Sequence, residues 1–512
     1  MAETDRDSHR PDVSFDGGDL DCGSGLLLLI RKHIDPLPRG GLLEILSTEG
    51  SVREDLPAWC RLTGNDLVSS VPAGAGTSFL VCKGTLSERR ADAKRSPQGV
   101  GMPAPSVPSR IPEGLPEHSA APAIPALAVM GLGSWPRPRW MLQAMHEHLE
   151  GRLEDAEFEA TADDAVRLAV QAQLRAGVDA VTDGEQRRDS YASFVGGRLD
   201  NCQLIPLTDL LPLVDDPEHF AQELRALDVP AGDVRHPAVF GALGRTRPIA
   251  VHEARFLRGI TDKPLKVALP GPYLLARTMW MECISDNAYR SREHIAQDIV
   301  RVLREELADL LAAGVALVQF DEPVLSEVVF TGVKQQRSFM CGALSEKGDA
   351  QVELGFARDL LNAVVAGFPR ERTAMHVCRG NWTPDESACL HGSYEPLMPT
   401  LAAVQVGTYF LELCTPRAGE MKVLRSLPED RRIGVGVVNQ KHVRVESDGE
   451  IVAKAAHAID LFGPDRVLLT PDCGFATFAD NPLASARVAE DKLAAVARAA
   501  RHLRERHLLA SD

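Results

Sequence analysis

Residues 376–382 read HVCRGNW, placing an imidazole and a thiol two positions apart. Two is the period of a β-strand, so in an extended chain His376 and Cys378 point to one face. Further along stand a carboxylate in FLEL, Glu412, and another thiol in TPDCG, Cys473. Two thiolates, an imidazole and a carboxylate suit tetrahedral Zn2+. A dication with three anionic ligands is formally anionic. Such a metal is poorly suited to making hydroxide and well suited to holding a substrate thiol as a nucleophilic thiolate. Ordinary buried thiols pack as small hydrophobes, the reading given to Cys202, Cys283, Cys341, Cys389 and Cys414. For His376, Cys378 and Cys473, spacing alone leaves metal and core both open.

The elements that must position these residues are short β-prone runs: ALAVMGLG, VDAVTD, PLKVAL, VALVQFD, RTAMHVC, VGTYFLEL, IGVGVV and RVLLTPD. Most are separated by amphipathic segments such as HIAQDIVRVLREELADLLAAG, where Gly314 marks a helix end. This alternation predicts an α/β fold, a (β/α)8 TIM barrel with its chemistry at the C-terminal ends of the strands. A doubly wound sheet would want a Gly-rich dinucleotide turn, which is missing. Ser134 follows the first run, Asp183 and Glu185 the second, and Asp321 with Glu322 ends the fourth. His376 and Cys378 end the fifth, Glu412 the sixth, Asn439 the seventh, and Asp472 with Cys473 the eighth. Polar and soft residues thus collect at one rim. The blander reading of Asp321 and Glu322 is a cap on the following helix, and that of GEQRRD a solvated loop.

A chain of 512 residues is too long for one compact core. Residues 85–126, rich in Pro, Ser and charge, read as an extended, disordered linker between a small unit, 13–84, and a large unit, 127–512. In the small unit the expected order is helix (GLLLLIRKHIDPL), strand (GGLLEILST), helix (DLPAWCRLTGNDLV, capped by Asp55 and ended by Gly64) and strand (TSFLVCKG), an α+β two-layer sandwich. A net charge of −16 argues against broad binding to nucleic acid or anionic membrane. No apolar run approaches a membrane span, and the opening MAETDRDSHR is unlike a secretory signal. The ten cysteines form no CxxC and no secreted-type framework. The expectation is a cytoplasmic protein.

HVCRGNW, FLEL, LLTPDCGFATFAD, TDGEQRRDSY, GSWPRP and QFDEP together closely resemble the catalytic barrel of cobalamin-independent methionine synthase, particularly its short single-barrel members. The resemblance covers nearly all of 127–512. It implies a methyltransferase with Zn2+ on His376, Cys378, Glu412 and Cys473. It also implies that Glu185 and Asp321 hold the amino group of homocysteine or a similar small thiol, with its carboxylate near Ser134. In the implied mechanism the thiol displaces a weak ligand, Glu412, and attacks a methyl group in line. Three departures stand out: no second barrel precedes 127, Thr278 takes the place of a pterin-packing Trp with Trp280 two places on, and Lys441, beside His442, takes the place of a His that protonates the departing folate. The donor is therefore open between methyltetrahydrofolate, a methylated corrinoid protein and another alkyl donor. Alkyl transfer to another thiol, as in the coenzyme M transferases, and a non-catalytic sulfur-relay or docking protein are the alternatives.

The segments DLDCGSGLLLLIRKHID, GGLLEILSTEGSVREDLPAWCRLTGNDL and SFLVCKG are similar to the TusA family of sulfur carriers. That resemblance places a persulfide-carrying Cys at Cys22, and with it a sulfur-relay partner, although the usual CPxP motif is CGSG here. A thiol at a helix N-terminus favours thiolate.

Overall fold

The computed structural model describes residues 9–20, 26–74, 76–89, 114–206, 235–280, 288–330, 349–381 and 383–508. Cys22, Cys283, Cys341 and the middle of the expected linker lie outside these residues. The small unit runs β1 (Val13–Asp16), a helix Leu27–Ile34, β2 (Leu42–Ser47), a helix Val52–Thr63, β3 (Asp66–Ala73) and β4 (Gly76–Cys82), with sheet order β1-β2-β4-β3. β1 is parallel to β2, and β4 is antiparallel to both neighbours. The expected order missed both outer strands. Polar and exposed positions alternate along β3, and it carries Pro72, so its sequence lacks the apolar signal of an inner strand. The second helix starts at Val52 after Ser51, not at an Asp55 cap; Asp55 lies in its first turn, where acidic groups suit the helix dipole. Gly64 ends it with φ +70.

In the large unit six parallel strands lie in the order β12-β11-β10-β9-β8-β7: β7 (Lys266–Pro270), β8 (Leu317–Asp321), β9 (Thr373–Val377), β10 (Thr408–Leu411), β11 (Arg432–Val438) and β12 (Val467–Pro471). Their residues are almost all buried, as a parallel sheet covered on both faces requires. The first two runs form single bridges instead of ladders. Val129 pairs with Leu469 of β12, and Val181 with Leu265 beside β7. The amide of Asp179 donates to the Val129 carbonyl at 2.8 Å, which joins these two segments to each other. All eight runs are thereby hydrogen-bonded in a circuit. Inside it Ala128, Met130, Leu317, Ala374, Phe410 and Leu468 pack together. An antiparallel pair outside the circuit, β5 (Asp200–Pro206) and β6 (Arg235–Gly244), was not expected from sequence.

Helices cover the sheet, and side-chain caps fix several of their starts. Ser291, Asp349, Ser447 and Ser485 accept from first-turn amides, and Ser447 forms a capping box with Glu450. Part of the expected linker is not loose. Ser119 donates to Ala312 O at 2.7 Å, Arg372 to Ser119 O at 2.6 Å, and Arg432 to Ile124 O at 3.0 Å. Ile124 also packs against the inner cluster. The expectation of disorder over all of 85–126 is corrected for 114–126, whose backbone carbonyls meet arginines of the large unit, and for 85–89, where Leu86–Glu88 form a capped 3-10 turn and Arg89 pairs with Asp12 at 2.8 Å. The two units also touch: Lys32 Nζ donates to Phe240 O at 3.2 Å, and Gln203 Nε2 to Lys32 O at 3.0 Å.

Glu322 caps a helix, but not the one that follows it. Its two oxygens accept from the amides of Tyr273 at 2.8 Å and Leu274 at 2.9 Å, in the first turn of Pro272–Met279. Burial pushes this carboxyl up to about 8. Replacement of Glu322 by Ala leaves both amides buried and unpaired, and a loss of about 1–3 kcal/mol in unfolding free energy is expected by denaturant titration.

Candidate metal and thiol site

Strand ends bring the soft residues together. Cys378 follows β9, Glu412 follows β10 and Cys473 lies just past β12; one donor atom from each falls within 4.8 Å of the others, all three buried. His376 is set apart from this close group. In the parallel register it lies opposite Asp321 of β8, and its Nδ1 bonds to Asp321 Oδ1 at 2.9 Å. The remaining nitrogen, Nε2, is buried without a hydrogen-bond partner. An orphaned imidazole nitrogen is costly unless something electrophilic meets it.

Glu412 is held from two sides. Its Oε1 accepts from the Arg379 amide at 2.9 Å, and Oε2 lies 3.5 Å from Arg417. Asp472 braces the same loop, accepting from the amides of Leu413 at 2.9 Å and Cys414 at 2.8 Å. The hydrogen bond with Cys378, then burial, pushes the Cys473 thiol well above the ordinary range. A buried thiol raised in this way gives up its proton readily only to a cation's pull, which is the behaviour of a metal donor.

Glu185 lies close enough to Asp321 to feel its charge. Burial, with Asp321 and Asp183 assisting and Arg188 opposing, raises Glu185 to about 7. Glu185 Oε2 has no partner. Its backbone is left-handed, φ +55, and Arg137 grips its carbonyl at 2.5 Å. A Cβ on Gly133 would overlap Glu185 Oε1, so only glycine lets that carboxylate lie there. Ser134 is buried, its hydroxyl accepting from the Ala476 amide at 3.2 Å in the loop beyond Cys473. Lys441 lies to one side, donating to Thr383 O at 2.5 Å, while His442 meets Glu386 at 2.6 Å and stays largely exposed. Thr278 is buried and donates to Leu274 O at 2.9 Å within its own helix. Asn439 donates to Glu386 at 2.5 Å. Cys389 is buried, as expected of a core thiol, though next to Lys441 and Arg417.

Three polar groups were not singled out from sequence. Lys266 and Gln319 face each other inside the circuit at 2.7 Å. Asn381 donates to Gly474 O at 2.8 Å and ties the HVCRGNW segment to the loop after Cys473. For Lys266 and Gln319 the available signal was a charge or amide inside an otherwise apolar run, PLKVAL or VALVQFD, which a position facing into the circuit explains.

Residues 225–355 and 372–498 match the family described as cobalamin-independent synthase, catalytic domain. The chain is 26% identical to a methionine synthase of Sulfurisphaera tokodaii over 352 residues, covering 69% of this chain and 86% of that protein. With the methionine synthase of Saccharolobus solfataricus it shares 24% over 384 residues, 75% and 96% of the two chains. Among solved structures, a B12-independent methionine synthase from Shewanella sp. W3-18-1, in complex with selenomethionine, is similar with a TM-score of 0.56 at 24% identity, covering 75% of this chain and 99% of that one. At that identity the likeness speaks for the fold.

Gly436 offers a test of the bracing. A Cβ there would overlap Asp472 Oδ1 and stand 2.9 Å from its Cα. The substitution Gly436→Ala should push Asp472 off the Leu413 and Cys414 amides and misplace Glu412 and Cys473. Metal content after loading, measured by elemental analysis, should fall severalfold while far-ultraviolet circular dichroism stays near wild type.

Proposed function

The chain belongs to the cobalamin-independent synthase catalytic-domain family, whose members are methyltransferases, and on that premise we propose that it is a zinc-dependent S-methyltransferase acting on homocysteine. The circuit of eight runs is read as a (β/α)8 TIM barrel with its chemistry at one rim. His376, Cys378, Glu412 and Cys473 would hold the Zn2+. The observation carrying this reading is the buried gathering of Cys378, Glu412 and Cys473 together with the partnerless Nε2 of His376. When bound, the ion lowers the pKa of a coordinated thiol and leaves it nucleophilic.

The protein's own groups then orient the acceptor. Glu185 and Asp321 would receive its ammonium, a neutralisation that two buried carboxylates need. Ser134 and neighbouring amides would receive its carboxylate. Retention of both acids favours an amino-acid thiol over one without an amine. Lys441, or His442 beside it, would hold a proton for the departing donor. Thr278 presents no aromatic face, so the donor is proposed as either methyltetrahydrofolate or a methylated corrinoid protein. Residues 13–84 are proposed as a TusA-like sulfur carrier, with Cys22 as its sulfur-bearing or docking thiol and the part of 85–126 that precedes the docked 114–126 as the tether, which raises the local concentration of one unit at the other.

Zinc content and methyl transfer to homocysteine, with both donors offered, test the reading. About one zinc per chain is expected, lost in Cys473→Ser together with activity; a zinc-free, inactive wild type would sink it. For Glu185, whose pKa lies near 7, ionisation favours ammonium binding, so kcat/KM should rise as pH increases through about 7. Glu185→Gln should remove that rise and lift KM for homocysteine about ten- to a hundredfold, the loss of a charge-assisted contact.

A further inference from the structure

Lys266 has no part in the reading above, yet it is one of the largest fully buried side chains. Its Nζ donates to Gln319 Oε1 at 2.7 Å and to Leu132 O at 2.8 Å, and lies 4.6 Å from the Phe410 ring centroid. No carboxylate bonds to it among the described residues; both hydrogen-bond acceptors are neutral amide oxygens. Burial pulls the Lys266 pKa down to about 7 against the raising effect of Asp321 and Glu185, so below that pH it is an ammonium spent on amide oxygens, which asks for a reason beyond packing.

The reason lies in polarity. An ammonium only donates, so it fixes which end of the Gln319 amide faces it. The other end, Nε2, must then face away. It donates to Asp321 Oδ1 at 2.7 Å and to Leu132 O at 3.1 Å. Asp321 Oδ1 therefore acts as an acceptor, and the His376 Nδ1 at 2.9 Å from it carries the proton. In that tautomer the lone pair sits on Nε2, the nitrogen left without a partner. The parallel registers Gln319 to Ala374 and Asp321 to His376 hold the chain of contacts in line across β8 and β9.

The geometry points to Lys266 as a positioning residue, whose ammonium, through Gln319 and Asp321, sets the tautomer in which His376 presents Nε2 to a metal cation. This inference rests on the metal reading above. Groups that fix a ligand imidazole from behind typically carry ten- to a hundredfold in metal affinity.

The test compares wild type, Lys266→Met and Gln319→Glu in the full chain, using zinc affinity by chelator competition and zinc X-ray absorption to count imidazole and sulfur ligands. The carboxylate introduced by Gln319→Glu would keep the contact with Lys266 but could not donate to Asp321. Both variants should bind zinc about ten- to a hundredfold more weakly, with the imidazole contribution to the absorption spectrum reduced and the sulfur contribution retained. If Lys266→Met does not fold, Lys266→Gln, whose amide can accept as well as donate, takes its place. A wild type that binds zinc through imidazole, with variants of equal affinity and the same spectrum, overturns the inference and leaves the metal reading standing. A wild type without zinc removes both.

Discussion

The constraint on which the large unit depends is the burial of many acids and thiols with few cations turned toward them. Glu185, Asp321, Glu412, Asp472, Cys378 and Cys473 are all buried. The arginines nearest them mostly face elsewhere: Arg137 grips the carbonyls of Glu185 and Arg188, and Arg188 pairs with Glu253 at 2.6 Å and donates to Ala268 O at 2.8 Å. Arg417, 3.5 Å from Glu412, is the exception; Asp321 and Asp472 are held by a neutral amide side chain and by backbone amides, which orient a carboxylate without cancelling its charge. Such an arrangement is unfavourable when empty and favourable around cations, whether a metal on the sulfur side or an ammonium on the carboxylate side.

Much of this was legible in the sequence because it follows a short period. The runs that end in Asp321, His376, Glu412 and Cys473 are strands or lie at their ends, and alternation with helices placed those ends on one rim. Less legible was anything that depends on two distant segments at once. Glu322 looks like a cap for the next helix, but its partners are the Tyr273 and Leu274 amides across the adjacent strand. Gly133 and Gly436 look like ordinary turn or strand glycines, and their need for a bare Cα is visible only when Glu185 and Asp472 are in place. Lys266 and Gln319 were hidden because an apolar run is normally judged by its majority, and the inward face of the circuit tolerates a polar pair once each satisfies the other.

The small unit shows the same limit from another side. Its helices and inner strands carry apolar patterns, and were placed nearly to their observed bounds. Its outer strands, β1 and β3, are half exposed and polar, so their identity comes from the neighbours they pair with. The stretch 114–126 was likewise judged by composition, whereas it is fixed by Arg372 and Arg432, residues far along the chain. A Pro-rich segment without local hydrogen bonds can still be ordered if distant guanidinium groups supply donors for its carbonyls.

Glu185 combines the position proposed for the ammonium contact with a left-handed backbone, a conformation that disfavours every side chain bearing a Cβ by roughly 1–2 kcal/mol. Glycine would relax that residue at once and lower the burden of a buried carboxyl as well. Stability and activity therefore pull in opposite directions at this single codon. A Glu185→Gly change would therefore exchange the proposed ammonium contact for a relaxed backbone and one fewer buried carboxyl.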